Sequence, residues 1–386
     1  MSRHEIFFQL RKPWPRCRAL AALVRDMVLL CLWPGRRIRP QEAEGVLFAA
    51  TLPGANGWQC LEPAMTAARA AGLPVSTVVH PRLDGRWLPR PPVAAIVEAV
   101  ATLLRQCRRG DGLLPALPVA AAMARRVLWW ASWRAALSRR SGVVVLHNDF
   151  DMMSAAAIGH GWPSVCLQHG VPTDEFFPTR ADLQVVWGDS SAAVYRAAGC
   201  DALVVDALGR GGAAAPEEPP AAIVLVSQSH AAVYGPEFAG RFRALAAELP
   251  AGTRVLLHPG ESPDRHCYHG LSHLILEQPP HGLLSTGQPR HLVVGFCSTA
   301  LLDAARAGHD VIGLDWPVQG SAAALTIAAP PRRMSGAAAV IALFQQLCRD
   351  AELRATFAAE RTAWLERTFS PQGGGLVAAL RQGLAS

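Results

Sequence analysis

The stretch GFCSTALLDA, residues 295–304, is the part of the sequence that most clearly indicates the fold. It follows the apolar run HLVV at 291–294, which is typical of a buried strand, and it leads into a helical pattern. Gly295 ends the strand, and Ser298 stands where a helix N-cap is expected. Hydroxyls and backbone N–H groups then meet at the positive end of a helix dipole, which favours an anion. Gly295, Ser298 and Thr299 are therefore predicted to bind a phosphate.

Three more predicted strands end in polar residues or glycine. RVLL at 254–257 runs into His258, Pro259 and a glycine, and SVCL at 164–167 runs into Gln168, His169 and Gly170. Ser227 and Gln228 follow the apolar run at 223–226. Open α/β sheets bind ligands outside the carboxyl ends of their strands. These residues are accordingly candidates for binding a ligand, with Ser227 and Gln228 predicted near its base or ribose.

The length and composition favour two globular domains. With 386 residues the chain exceeds one ordinary core, and 51% hydrophobic against 17% charged residues excludes a disordered protein. Apolar runs alternate with helical patterns on both sides of a Gly- and Pro-rich segment at 209–220, which is typical of a linker. The prediction is α/β, with two Rossmann-like domains at 1–208 and 221–386 whose carboxyl strand edges face one cleft. The predicted strands are 46–50, 75–79, 143–147, 164–168, 183–187 and 202–205 in the first domain, and 223–226, 254–257, 273–276, 292–294 and 311–314 in the second.

The charge is basic and unevenly distributed. The formal net charge is +7, and arginine pairs cluster in the first 140 residues. No aromatic interleaving typical of a nucleic-acid site accompanies them, so nucleic acid is not the expected partner. An acidic lipid or a nucleotide-activated substrate accounts for the charge equally well.

Nine scattered cysteines form no CxxC pair and suggest no zinc site, and no metal is expected. The first residues lack the pattern of a secretory signal, so a cytoplasmic location is predicted. The apolar segment 19–33 carries Arg25 and Asp26 and is too short to span a bilayer. It is predicted either to cover the first domain or to lie on the inner face of the membrane as an amphipathic helix.

The order of these motifs resembles the GT-B glycosyltransferases. More narrowly, it is similar to bacterial capsule and lipopolysaccharide enzymes that use CMP-activated sugars: the sialyltransferases, polysialyltransferases and Kdo transferases. The resemblance lies in Gln168-His169-Gly170, His258-Pro259 and Ser298-Thr299. It implies a glycosyltransferase without a cofactor, which moves a CMP-linked nonulosonic acid or Kdo onto a glycan or glycolipid acceptor. It also implies that His258, Pro259, Ser298 and Thr299 contact the donor.

The general base is less clearly indicated. The resemblance implies an acidic-acidic-Gly motif, but Leu83 stands where the first acid would be, before Asp84 and Gly85. Asp149 and Asp151 follow the strand 143–147 and are alternatives, although either can cap the next helix. Asp84 and Asp149 are ranked equal and Asp151 behind them, with His169 as a further candidate.

Three other functions stay open at this point. Teichoic-acid-type CDP-polyol phosphotransferases share several of the motifs, but Gly260 and Glu261 follow His258-Pro259 where further basic residues are expected. UDP-sugar GT-B enzymes resemble the chain through Asp303, one turn into the helix after Ser298. An inactive GT-B-like scaffold in polysaccharide assembly would have a closed or apolar cleft, whereas this chain has several polar strand ends.

Overall fold

A computed structural model describes residues 16–39, 45–52, 55–109, 113–137, 141–209, 218–228, 234–235, 237–278, 288–371 and 373–385. It contains two six-stranded parallel sheets, as predicted. Most strands are short apolar runs, and the central strands are buried on both faces, which is typical of parallel sheets covered by helices. Most of the predicted linker, residues 210–217, lies outside the described residues, so the domain boundaries stay a prediction.

Sheet 1 belongs to the first half of the chain and has the order β2-β1-β3-β4-β5-β6. The side chains of each strand alternate between two cores. One core lies under helices α1, α3, α4 and α5, and the other lies under α2. The elements are α1 (Arg16–Leu32), β1 (Gly45–Ala50), α2 (Ala55–Ala70), β2 (Val75–Val79), α3 (Val93–Arg109), α4 (Leu113–Leu137), β3 (Gly142–Leu146), α5 (Met152–Ala157), β4 (Ser164–Leu167), β5 (Leu183–Val186), α6 (Asp189–Ala197) and β6 (Leu203–Val205).

Sheet 2 belongs to the second half and has the order β12-β11-β10-β7-β8-β9. The two-residue strand β12 and the short helix α9 were not predicted, because neither is long enough to show a periodic pattern. The elements are β7 (Ile223–Val226), α7 (Glu237–Glu248), β8 (Arg254–Leu256), β9 (Ile275–Glu277), β10 (Leu292–Gly295), α8 (Thr299–Arg306), β11 (Asp310–Leu314), α9 (Ala322–Ala328), β12 (Arg333–Met334), α10 (Ala337–Arg349), α11 (Ala351–Thr368) and α12 (Gly375–Ala385).

The last helix, α12, packs against sheet 1, whereas the predicted second domain, 221–386, includes this helix. Its Leu376 and Leu380 enter the core beneath β1 and β3. The carboxylate of Asp206, just after β6, accepts a hydrogen bond from the Leu376 N–H at 2.9 Å and so caps the amino end of the helix. At the crossing, Gly188 allows the close approach of the Thr368 backbone, since a Cβ there would overlap the Thr368 carbonyl oxygen.

The amino end of sheet 2 is held by buried charges. The Arg290 guanidinium forms a bidentate ion pair with Asp310, and both side chains are buried. Arg361 of α11 donates to the carbonyls of Gly308 and His309 at 2.8 and 3.1 Å. Because every partner is buried and hydrogen-bonded, removing one of them would leave an uncompensated charge in the core.

His291, at the same end, makes folding sensitive to acid. Its ring is 4% exposed, and neither ring nitrogen has a hydrogen-bond partner among the described residues. Burial, and then the nearby His309 and Arg254, lower its pKa to about 4. In the unfolded chain the same ring has a pKa of about 6.5. The stability that the neutral buried ring allows at pH 7 is therefore lost as the pH falls from about 6.5 towards 4.

Because of the lowered pKa of His291, we expect the free energy of unfolding to be about 2 kcal/mol lower at pH 5 than at pH 7. His291→Leu should abolish that component, as measured by urea unfolding at the two pH values. The exposed His269 gives a matched control, and His269→Leu should keep the wild-type difference. An unchanged pH dependence in His291→Leu would contradict the assignment.

Candidate active site

The predicted motifs lie around the two points where strand order reverses. In sheet 1 the chain runs from β1 to β2 and then returns to β3 on the other side of β1. In sheet 2 it runs from β7 to β9 and returns to β10 beside β7. Loops diverge at such a switch point and leave a crevice outside the carboxyl ends of the strands. The crevices of sheets 1 and 2 face each other, as the bonds between the sheets described below show.

In sheet 2 the switch point is closed by a paired amide. Gln228 donates from Nε2 to the Cys297 carbonyl at 2.6 Å and accepts from the Cys297 N–H at 3.2 Å. The Ser227 hydroxyl accepts from the Tyr268 hydroxyl at 2.8 Å, and both Ser227 and Gln228 are buried. These bonds join the loops after β7 and β10. The buried side chains of Ser227 and Gln228 therefore stabilise the loops that border the crevice. Their predicted contact with a donor stays a prediction.

Ser298 caps α8 as predicted. Its hydroxyl accepts from the Ala300 N–H at 3.2 Å, and its backbone is extended. Thr299 is the first residue of the helix, and both side chains are partly exposed. Gly295 serves packing, since a Cβ at this position would lie 3.0 Å from a Leu301 methyl and 3.3 Å from Val226. The amino end of α8 is thus open toward the crevice and can receive an anion.

His258 lies in the turn after β8, at the same edge of the sheet. Its Nδ1 accepts from the Gly260 N–H at 3.0 Å, and its own N–H donates to the Glu261 carboxylate at 2.8 Å. With Nδ1 occupied as an acceptor, the neutral ring carries its hydrogen on Nε2. The turn thus holds the ring in a tautomer that can donate, and Pro259 beside it is exposed.

Each residue of the Gln168-His169-Gly170 segment has a different role. The Gln168 side chain accepts from the Trp187 N–H at 3.0 Å and donates to the Gly170 carbonyl at 3.2 Å, so it fixes the loop after β4. Gly170 faces the other domain, where a Cβ would lie 3.1 Å from the Thr299 hydroxyl oxygen. His169 is half-buried between the two and turns towards an aromatic cluster.

The loop after β4 and the start of α8 meet across the cleft. The Val171 N–H donates to the Thr299 hydroxyl at 3.0 Å. Further along the same loop, the Asp174 carboxylate accepts from the Ala323 N–H at 2.8 Å, and the Asp174 N–H donates to the Gly320 carbonyl at 3.4 Å. Two motifs that the sequence singled out about 130 residues apart thus belong to one site.

Aromatic rings surround His169 on the side of sheet 1. Its ring centroid lies 6.0 Å from that of His147, 6.1 Å from that of Phe150 and 6.3 Å from that of Phe176. A cavity of about 30 Å³ opens among His169, Phe150, Phe176 and the ends of β3 and β4. His147, Phe150 and Phe176 were not predicted as site residues, although His147 follows β3 directly and its position at a strand end was a usable signal.

His147 is a buried residue that links the strand ends at the switch point of sheet 1. It is 1% exposed, its Nδ1 lies 3.4 Å from the Ala49 carbonyl, and its Nε2 lies 3.0 Å from the Asn148 amide nitrogen. Burial lowers the pKa of the ring, which keeps it neutral. Asn148 also donates to the Thr51 hydroxyl at 3.3 Å. These bonds join the ends of β1 and β3 as Gln228 joins the ends of β7 and β10.

Asp149 and Asp151, two of the predicted candidates for the general base, accept hydrogen bonds from nearby backbone N–H groups. Asp149 Oδ2 accepts from the Arg180 N–H at 2.6 Å, from the Ala181 N–H at 3.3 Å and from Gln184 Nε2 at 3.3 Å, and the residue is buried. Asp151 caps α5 through the N–H groups of Met153 and Ser154, and it accepts from the Thr51 hydroxyl. The bonds to Asp149 all fall on Oδ2, whereas those to Asp151 fall on both oxygens, and the role of either residue as base stays a prediction.

Asp84 is exposed, and the side chain of Asp303 is half-exposed. Asp84 lies in the turn after β2, a strand that is three strand spacings or about 14 Å from β4. Asp303 lies on the exposed side of α8, 3.5 Å from Arg306. An ion pair that was not predicted lies at the same edge of sheet 2, where Arg333 of β12 is 3.1 Å from Asp315, just after β11.

Among the described residues, no three His, Cys, Asp or Glu side chains come together as a metal site. No helix in the same part of the chain has the length and apolarity to cross a membrane.

The fold is similar to that of several solved glycosyltransferases. UGT71G1 of Medicago truncatula, solved with UDP-glucose, aligns with a TM-score of 0.51 at 12% identity, over 89% of this chain and 99% of that one. An O-GlcNAc transferase variant of Thermobaculum terrenum aligns at 0.45 and 15% identity, over 100% and 78%. Anabaena HepE, solved with UDP-glucose, aligns at 0.45 and 11% identity, over 88% and 98%. No protein-family model matches the sequence, and no curated protein sequence matches it. The chain has the two-domain architecture of the GT-B fold.

The role of Asp149 can be tested by stability. Asp149→Asn replaces the charged oxygen that accepts three hydrogen bonds with a neutral amide oxygen, so we expect a loss of about 1–3 kcal/mol in the free energy of unfolding. Urea denaturation measures it. The exposed Asp84→Asn is the matched control and should change stability by less than about 0.5 kcal/mol. Wild-type stability in Asp149→Asn would contradict the structural role.

Proposed function

We propose that the protein is a glycosyltransferase that uses a nucleotide-sugar donor. The observation that carries the proposal is the contact of Gly170 and Val171, the residues after His169, with Thr299, the residue after Ser298, at one cleft of a GT-B fold. The second domain offers a helix amino end and a donating histidine to a phosphate, and the first offers a histidine among aromatic rings to an acceptor. The same cleft is lined by donors for a charge that develops on a leaving phosphate.

The donor phosphate is proposed to bind the N–H groups at the start of α8 and the hydroxyls of Ser298 and Thr299. His258 Nε2–H donates to it from the end of β8, which β7 separates from β10. In the reaction, an acceptor oxygen forms a bond to the anomeric carbon, and the bond from that carbon to the phosphate oxygen breaks. The electron pair leaves with the nucleotide, whose charge the helix dipole and His258 stabilise.

His169 is proposed as the general base that takes the proton of the acceptor hydroxyl. It lies at the end of β4, beside the α8 contact, whereas Asp149 and Asp151 accept backbone hydrogen bonds and Asp84 follows β2, a strand about 14 Å from β4. An imidazole can take the proton of a hydroxyl and pass it to solvent near neutral pH.

The identity of the donor is proposed from the sequence. His258-Pro259 and Ser298-Thr299 favour a CMP-activated nonulosonic acid or Kdo, and hence an acceptor in capsule or lipopolysaccharide synthesis. One observation favours a UDP-sugar instead: Asp303 lies one turn into α8 with its side chain 45% exposed, where it can hold a ribose hydroxyl. UGT71G1, solved with UDP-glucose, supports this second candidate through its fold alone.

A ligand panel separates the candidates. Thermal unfolding with CMP, CDP, UDP and TDP should show a rise in melting temperature for the nucleotide of the true donor, because only the folded state binds it. If UDP is selected, Asp303→Asn should weaken its binding, whereas CMP binding should be insensitive to that change. No shift with any nucleotide would contradict the proposed function.

His258→Ala should lower turnover by about 10- to 1,000-fold and weaken nucleotide binding, since it removes one donor to the leaving phosphate. Calorimetry and steady-state kinetics measure the two effects. His269→Ala removes an exposed histidine from the same region and is the matched control. Wild-type affinity and rate in His258→Ala would refute the donor site.

The base is tested by His169→Gln, which keeps a polar side chain of similar size. We expect turnover to fall by about 10²- to 10⁴-fold while nucleotide affinity persists. Asp84→Asn is compared in parallel and should keep turnover. If Asp84→Asn loses turnover and His169→Gln does not, the base is Asp84.

A further inference from the structure

Helices α1 and α3 expose apolar side chains that the fold does not use. On α1 the residues Leu20, Val24, Val28 and Leu32 recur every fourth position, and Leu32 is 71% exposed. On α3 the exposed set is Val93, Val97, Val100 and Leu104, with Val93 75% exposed. This spacing puts each set on one side of its helix. The opposite sides, including Leu23, Leu30 and Ala99, enter the core over sheet 1.

The two stripes belong to one rigid surface. Helices α1 and α3 both pack against α4. Asp26 of α1 is buried and accepts from Arg125 at 2.6 Å and from Trp129 at 2.8 Å, and both of these donors belong to α4. Such a buried, charge-assisted network fixes the rotation of α1 and therefore the direction of its exposed stripe.

An open groove joins the end of α1 to the start of α3. It has a volume of about 530 Å³ and is lined in part by Trp33, Arg37, Arg39 and Arg90. The Arg37 guanidinium stacks on the Trp87 ring at 4.0 Å and donates to the Leu88 carbonyl at 3.0 Å. Burial, and to a smaller extent the charge of Arg90, lower the pKa of Arg37. Within the described residues no carboxylate pairs with Arg37 or Arg90.

The charge around this surface has one sign. Residues 16–39 contain six arginines and one acid, Asp26, which is buried; residues 85–109 contain five arginines and one acid, Glu98, which pairs with Arg105. Arg25 and Arg105 have half-exposed side chains beside the stripes. Apolar side chains rimmed by arginines match a surface whose interior is hydrocarbon and whose boundary carries anionic groups.

We propose that the face formed by α1, α3 and the groove between them docks the protein on an anionic lipid bilayer. The apolar stripes enter the boundary between headgroups and acyl chains, and Arg36, Arg37 and Arg90 bind lipid phosphates. Arginines beside both apolar stripes favour an anionic bilayer over an uncharged protein surface. This inference does not depend on the glycosyltransferase proposal, because docking involves no residue of the cleft.

The test is co-sedimentation of the full chain with vesicles. Wild type should bind vesicles that contain phosphatidylglycerol, should bind phosphatidylcholine vesicles weakly, and should be released by raised salt. Arg36→Ser with Arg90→Ser should lower the partition coefficient by about 25-fold, at about fivefold for each arginine. Val24→Glu with Val97→Glu should lower it by about tenfold or more, since two apolar contacts are lost.

Matched controls come from the second domain. Ile275, 50% exposed on the edge strand β9, and the exposed Arg349 allow Ile275→Glu and Arg349→Ser, which should bind like wild type. Circular dichroism and thermal unfolding confirm that each variant is folded. Absence of vesicle binding by wild type, equal binding to neutral vesicles, or equal loss in the controls would overturn the proposal.

A second copy of the chain is the competing occupant of this face. If light scattering shows a dimer that Val24→Glu with Val97→Glu dissociates, and vesicles bind nothing, the face is a dimer interface and the proposal fails. Nucleotide binding measured on the same variants should equal that of wild type, so failure of docking is distinguishable from failure of the proposed function.

Discussion

Both sheets are parallel, and this constraint determines where every other feature of the molecule can lie. A parallel strand returns to the same edge through a helix on one face, so the faces are covered and only the edges remain open. All carboxyl ends in a sheet then meet along one edge, and the switch point opens a crevice in it. Because sheets 1 and 2 present these edges to each other, the bond from Val171 to the Thr299 hydroxyl becomes possible.

The strands end at the crevice, so the backbone N–H and C=O groups just beyond them have no hydrogen-bond partner in a neighbouring strand. The chain satisfies them with side chains from the same edge. Gln228 pairs with both polar groups of Cys297, and Gln168 pairs with Trp187 and Gly170. Asp149 accepts from two backbone N–H groups and one amide. These buried amide and carboxylate groups make the loops around the crevice more rigid. The residues that are partly exposed there, and so available to a ligand, are His169, His258, Ser298 and Thr299.

This division explains how far the sequence predicts the molecule. Apolar runs bounded by Gly and polar residues predicted eleven of the strands to within two residues, since burial on both faces leaves a strong pattern. The same signal identifies polar residues at strand ends but does not separate a ligand contact from a loop clamp, as Asp149 and Gln228 illustrate. The return of α12 to sheet 1 and the neighbours of His169 depend on contacts between residues far apart in the chain, which no local pattern records.

The arrangement of the first domain also explains why its basic charge and its cleft can serve different partners. Helices α1, α3 and α4 cover one face of sheet 1, α2 and α12 cover the other, and the crevice occupies the carboxyl edge between them. A flat anionic surface against α1 and α3 therefore meets a face of the sheet, and the second domain stands at its edge. Docking in this way leaves the cleft open to a soluble donor, while an acceptor anchored in the same surface needs to extend only around the rim of one domain. The arginines around α1 and α3 then account for the charge of the chain without lying in the cleft.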